Sequence, residues 1–141
     1  MNDIEIKCVK EVQDCFIVGE AYKELSKQPI SLNELVKYPL ILQSKTANTR
    51  KFLDDVASRH NVVLNPCIEL ASYSLVVQFA KIGMGIGYAT LEYIQKELDN
   101  KELFELDVCD IPSRFIAIGL CKNTIPNFST KNILEIINKK R

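Results

Sequence analysis

The feature that most constrains this chain is a threefold repetition of strand, polar turn and helix between Pro39 and Leu98. "PLILQ" reads as a buried strand, "SKTAN" as a turn, and "TRKFLDDVASRH" as a helix with Phe52, Leu53, Val56 and Ala57 on one face. "CIELA", after Pro66, is the second strand. Ser72 is placed as the N-cap of a helix whose apolar face runs through Leu75, Val76, Phe79 and Ile82 and which ends at Gly83. "IGYA" is the third strand, Thr90 a third cap and "LEYIQKEL" the third helix. Strands alternating with helices through short turns predict an α/β fold, a parallel-type sheet with flanking helices.

The flanks differ in character. "IEIKCVK" alternates apolar and charged residues and "CFIVG" follows after a polar break, which predicts two short strands. "SLNELVKYP" opens with Ser31 and carries Glu34 three residues later, a capping-box pattern, and its short helix must stop before Pro39. Towards the end, "LFELDV" and "RFIAIGLC" read as strands separated by Pro112. "STKNILEIINKKR" reads as a helix capped near Ser129, with its basic residues where the helix dipole favours them. At 141 residues the chain suits one globular unit.

Several classes are disfavoured. Lysine plus arginine (18) equals aspartate plus glutamate (18), and the charges are scattered, so no basic stripe marks direct nucleic-acid contact. No apolar stretch is long enough to span a bilayer and "MNDIEIKCVK" lacks the apolar core of a signal peptide, which points to the cytoplasm. The five cysteines (Cys8, Cys15, Cys67, Cys109, Cys121) show no C-x-x-C pair and no metal-ligand spacing. Most sit in apolar runs, so they read as buried, reduced thiols, and no metal or cofactor is expected. The only histidine, His60, falls at the polar end of a helix and suits a solvated or capping role.

The glycines of "KIGMGIGYAT" invite a phosphate-loop reading, but such loops follow a strand and open a helix. Here the order is reversed. Gly83 follows a helix and Gly87 lies in the next strand, so their expected jobs are a left-handed C-cap, a tight turn and close backbone packing.

In an open parallel sheet, ligands bind beyond the carboxyl ends of the strands. That rule selects three turns: Gln43 to Thr49, Ser72 with Tyr73, and Thr90. The candidate residues are Gln43, Ser44, Asn48, Thr49, Arg50, Ser72, Tyr73, Gly87 and Thr90. Hydroxyls, amides and helix-start N–H groups suit a small anion such as a carboxylate. Capping alone also accounts for Thr49, Ser72 and Thr90, and an i+4 pair with Asp54 accounts for Arg50. With no paired carboxylates, histidine, metal cluster or G-x-S-x-G elbow in these turns, catalysis is not expected.

"ISLNELVKYPLIL", "SKTANTRKFLDD", "IELASYSLVVQFAKIGMGIGYAT" and "KELFELDV", in this order, resemble the C-terminal part of the effector-binding domain of LysR-type transcriptional regulators. The resemblance implies the second subdomain of a type-two periplasmic-binding-protein fold plus crossing strands. Residues 22–112 would form that subdomain, and residues 1–21 and 113–141 would resemble parts of the first subdomain and hinge. It also implies a small-molecule effector, homo-oligomers, and DNA binding by a helix-turn-helix that this chain lacks. Thr90 stands where many members carry proline. Two alternatives are a stand-alone solute-binding module of the same fold and a small α/β enzyme using Cys67 or another thiol.

Overall fold

The computed structural model describes residues 4–108 and 111–121, with side chains described at 9–108 and 111–116. The helix expected over "STKNILEIINKKR" lies outside the described residues. In chain order the elements are β1 (Ile4–Val12), β2 (Asp14–Val18), a 3-10 helix (Glu20–Lys27), α1 (Leu32–Leu35), β3 (Leu40–Gln43) and α2 (Asn48–Arg59). There follow β4 (Ile68–Leu70), α3 (Tyr73–Lys81), β5 (Ile86–Thr90), a 3-10 turn (Leu91–Tyr93), α4 (Gln95–Asp99), β6 (Phe104–Glu105) and β7 (Arg114–Cys121).

Two compact units divide the chain, with boundaries between Val12 and Gln13 and between Pro112 and Ser113. In the flanking unit, β1 and β7 form an antiparallel ladder from Ile4 opposite Cys121 to Val12 opposite Arg114, with an irregularity between Ile6 and Cys8. The unit of residues 13–112 is built on a five-stranded sheet of order β4-β3-β5-β2-β6. This unit takes in β2, which the sequence reading grouped with residues 1–21.

The parallel sheet expected from the repeated pattern is β4-β3-β5, with Ile41 opposite Ile68 and Leu40 opposite Ile86. Strand β2 runs antiparallel between β5 and β6, so the whole sheet is mixed. The chain leaves β3 for the edge strand β4 and returns past β3 to β5, the reversal that puts successive right-handed crossovers on opposite faces.

Both faces are therefore covered, and β2 is buried at every position. Phe16 and Val18 join Leu40, Leu42, Ile86 and Tyr88 of the sheet in one cluster with Leu53 and Ala57 of α2. Cys15, Ile17 and Ala89 join Val77 and Ala80 of α3, with Ile94 and Leu103, in the other. Two-faced burial is why these strands read as continuous apolar runs rather than alternating ones. Leu53 is 0% exposed, and truncating it to alanine would cost about 2–5 kcal/mol through lost burial and the cavity left behind.

Local signals hold where backbone chemistry decides. Ser31 accepts from the Glu34 N–H at 3.2 Å, starting α1 as its capping pattern predicts. At the end of α3, Gly83 has φ +84, its N–H donates to the Ala80 carbonyl, and the Met84 N–H donates to the Phe79 carbonyl, each at 3.1 Å. This is the left-handed cap expected of Gly83, closed as a Schellman motif. A Cβ at Gly87 would lie 3.2 Å from Ala80 Cβ and 3.3 Å from Val76 Cγ1, so the missing side chain lets α3 approach β5.

That approach corrects the expected face of α3. The buried residues are Val76, Val77 and Ala80, Phe79 is half-buried, and Leu75 and Ile82 are 44% and 71% exposed. Close contact through Gly87 favours small and branched side chains and turns the larger ones outward. The third helix is also not continuous. Thr90 makes no side-chain cap bond, and Ile94 interrupts the segment with φ −121. Ile94 is 1% exposed, and 3-10 geometry sets Leu91 and Ile94 on one side, where both pack in the α3-side cluster.

Candidate functional site

Parallel pairing carries the C-terminal ends of β3, β4 and β5 to one sheet edge. Gln43 stands opposite Leu70, and the Ser44 N–H donates to the Leu70 carbonyl at 2.9 Å. Helices α2 and α3 begin immediately beyond, so their N-termini lie at this edge.

The first group of candidate residues surrounds the start of α2. Ala47 occupies the N-cap position and supplies no side-chain acceptor. The three nearby hydroxyls are engaged elsewhere: Ser44 Oγ is 3.2 Å from Thr46 Oγ1, and Thr49 Oγ1 donates to Gln43 Oε1 at 2.8 Å. Thr49 is thus inside the helix, fixing the Gln43 amide, and is not the cap its residue type suggests. Asn48 is exposed at the first helical position. The first-turn amides of α2 consequently face the edge without a side-chain cap.

Arg50 is 3% exposed. Its Nε donates to Asp54 Oδ1, the i+4 pair anticipated from sequence, and its Nη1 donates to the Gln43 carbonyl and to Glu69 Oε1, all at 2.9 Å. Desolvation pulls the guanidinium pKa down, but the bonds to Asp54 and Glu69 outweigh it and the net direction is up. The side chain ties α2 to the end of β3 and to β4.

The second group surrounds α3 and β5. Ser72 Oγ accepts from the Leu75 N–H at 3.3 Å, as a cap should. The Tyr73 hydroxyl accepts from the Thr90 N–H at 3.2 Å, and burial pushes the Tyr73 phenol up to about 12 against the lowering effect of that bond. Thr90 Oγ1 donates to Asp14 Oδ1 at 2.9 Å, with both residues 1% exposed and directly opposite in the β2–β5 ladder. Thr90, expected as a cap, spends its hydroxyl on a buried carboxylate because antiparallel pairing puts Asp14 beside it. Gly87 stands apart from the turns, inside β5 and against α3.

Sequence reasoning missed Asp14 and Gln13. The signal available was the polar pair "QD" directly before the apolar run "CFIV", but, apart from the bond between the two residues themselves, the partners Glu92, Ile111 and Thr90 come from positions 76 or more residues away. It also misjudged one thiol. Cys15 is buried, and burial first, then the charges of Glu105, Asp14 and Glu92, push it well above the ordinary thiol range, whereas Cys67 is exposed. Cys67 follows Pro66 at the margin of the edge strand β4. His60 is hydrogen-bonded through Nδ1 to the Val56 carbonyl at 2.9 Å, at the C-terminal end of α2. Among the described residues no group of His, Cys, Asp and Glu is arranged to hold a metal, and no helix is long and apolar enough to cross a membrane.

Comparison with known proteins places this geometry. The HTH-type transcriptional regulator CysL of Bacillus subtilis is 22% identical over 107 residues, covering 76% of this chain and 36% of CysL, so the chain spans about a third of that relative's length. The regulatory domain of Synechocystis CcmR, solved in complex with 2-PG, superposes with a TM-score of 0.74 at 21% identity, covering 98% of this chain and 67% of that one. The effector-binding domain of QuiR in complex with shikimate gives 0.70 at 18% identity, covering 98% and 65%. HinK, a LysR family transcriptional regulator from Pseudomonas aeruginosa, gives 0.72 at 15%, covering 99% of this chain and 49% of HinK. These structural likenesses establish a shared fold, the periplasmic-binding-protein-like α/β arrangement of LysR effector-binding domains. The family profile described as LysR substrate binding domain matches residues 2–125, most of the sequence, and the chain belongs to that family.

Proposed function

We propose that this chain is the effector-sensing part of a LysR-type transcriptional regulator, with the sheet edge at Gln43–Arg50, Ser72–Tyr73 and Thr90 forming one wall of the effector cleft. The observation that carries the reading is the start of α2. Its first-turn amides reach the edge where three parallel strands end, and no side chain caps them. Uncapped N–H groups and the positive end of the helix dipole favour an anionic group. Ser44 and Thr49 flank them in sequence and Ser72 caps the neighbouring helix at the same edge, so an organic acid with hydroxyl substituents is the class of effector this wall suits. The complexes of CcmR with 2-PG and QuiR with shikimate support a small-molecule ligand at a domain of this fold.

Within the same reading, the regulator is cytoplasmic, catalyses nothing, and contacts DNA through segments other than this chain. Leu75, Ile82 and Met84, 44%, 71% and 47% exposed with half-buried Phe79 among them, supply an apolar stripe on and after α3 for self-association.

Calorimetric titration with shikimate and a graded set of small hydroxy acids tests the effector reading. Saturable binding that weakens on the order of tenfold in Thr49→Val supports it, because that variant releases Gln43 and disturbs the start of α2. Binding of no acid by wild-type protein, or binding indifferent to Thr49→Val and Ser44→Ala, refutes it. Sedimentation of Ile82→Glu against wild type tests the stripe: a shift from oligomer to monomer is expected, and an unchanged distribution rejects this surface.

A further inference from the structure

We propose that Gln13 is a positioning residue that fastens the candidate effector edge to the end of its own unit at Ile111. Four hydrogen bonds meet at this residue. Its backbone N–H donates to Glu92 Oε1 at 3.0 Å, and its carbonyl accepts from the Leu91 N–H at 2.8 Å, which ties it to the residues directly after Thr90. Its side-chain Nε2 donates to the Asp14 carbonyl and to the Ile111 carbonyl, each at 3.0 Å. Gln13 is the first residue after one unit boundary, and Ile111 precedes Pro112 at the other.

The residue type fits the task. A primary amide carries two N–H donors on one nitrogen, and two backbone carbonyls face it here. Glutamate would set acceptor against acceptor, leucine has no donor, and asparagine is one methylene shorter. Pro112 brings no N–H to its segment, so a side-chain donor supplies the bond that holds Ile111. Asp14, the neighbour of Gln13, accepts from Thr90. A change at Thr90 therefore reaches Ile111 and Pro112 through Asp14, Gln13 and the amide bond to Ile111.

The inference rests on the reading of Thr90 as part of the effector edge, and its test needs no ligand. Hydrogen exchange is followed in peptides covering residues 106–116 in wild type, Thr90→Val, Gln13→Leu and the double variant. Thr90→Val should speed exchange there about fivefold, the scale of one lost hydrogen bond, and should add nothing in the Gln13→Leu background. An unchanged rate in Thr90→Val, or the same acceleration in both backgrounds, overturns the proposal. If Gln13→Leu shows no cooperative melting, Gln13→Asn takes its place and must abolish the coupling in the same way. Coupling without binding of any acid would sink the effector reading alone, and acid binding without coupling would sink the role of Gln13 alone.

Discussion

Helices α2 and α3 begin at the same sheet edge, each after a strand of the same parallel group, yet their first turns are finished differently. Ser72 caps α3 through the Leu75 N–H, while α2 starts from Ala47 with no side-chain cap although Ser44, Thr46 and Thr49 are all close in sequence. The hydroxyls around α2 bond to one another and to Gln43. The difference teaches that cap-forming residue types do not by themselves close a helix start. Where the hydroxyl is claimed by another partner, the amides stay available, and that is the end on which the effector reading depends.

Among the polar side chains of the α2 side, the most damaging change should be Arg50→Met. It strands Asp54, Glu69 and the Gln43 carbonyl, and because the two carboxylates are 41% and 42% exposed, water offsets part of the loss. A destabilisation of about 2 kcal/mol in urea unfolding is expected, and a change within about 0.5 kcal/mol would show that α2 is not anchored through this side chain. On the α3 side, Thr90→Val removes one hydrogen bond to a carboxylate that is 1% exposed and should cost about 1.5 kcal/mol, while Thr90→Ser should recover most of it.

Capping chemistry gives a smaller pair of effects with opposite signs. Ser72→Ala should lose about 1 kcal/mol. Ala47→Asp should gain about 0.5–1 kcal/mol, because Ala47 already has the extended backbone of an N-cap at φ −71 and ψ 139 and a carboxylate there suits the helix dipole. The same substitution should weaken binding of any acid, since it supplies the helix with its own anion. Stabilisation with unweakened acid binding would show that effectors do not use the α2 amides.

The least perturbing test is pH. Tyr73 is raised from 10.0 to about 12 by burial, so the folded state retains a phenolic proton that the unfolded chain releases first. Its contribution is complete below about pH 10 and is lost as pH rises towards 12. Tyr73→Phe should flatten the fall in melting temperature across that window, leaving the part due to Cys15, whose pKa is also raised by burial. An identical slope in the variant would mean that burial does not hold the proton on Tyr73.

Much of this molecule was legible in advance because its signals are local. The repeated strand, turn and helix pattern, the Ser31 and Ser72 caps and the Gly83 terminus each depend on residues within a few positions, where backbone donors and dihedral preferences decide the outcome. The three strand-end turns were legible for the same reason: a parallel arrangement puts every strand's carboxyl end at one edge. Legibility stopped where partners are distant. The outward turn of Leu75 and Ile82 follows from Gly87 admitting Ala80 to the sheet, the hydroxyl of Thr90 goes to Asp14 across a ladder, and the breaking of the third helix follows from the burial of Ile94.

By itself the sequence determined the α/β class, the alternation of strands and helices after Pro39 and the edge where those strands end, since periodicity and turn composition are properties of short stretches. Only the tertiary structure decided that β2 returns antiparallel into the sheet, that α2 rather than α3 keeps an open first turn, and that Gln13 meets Glu92, Leu91, Asp14 and Ile111. The physical reason is competition: each hydroxyl, amide and buried carboxylate has several possible partners along the chain, and packing selects which of them comes within 3 Å.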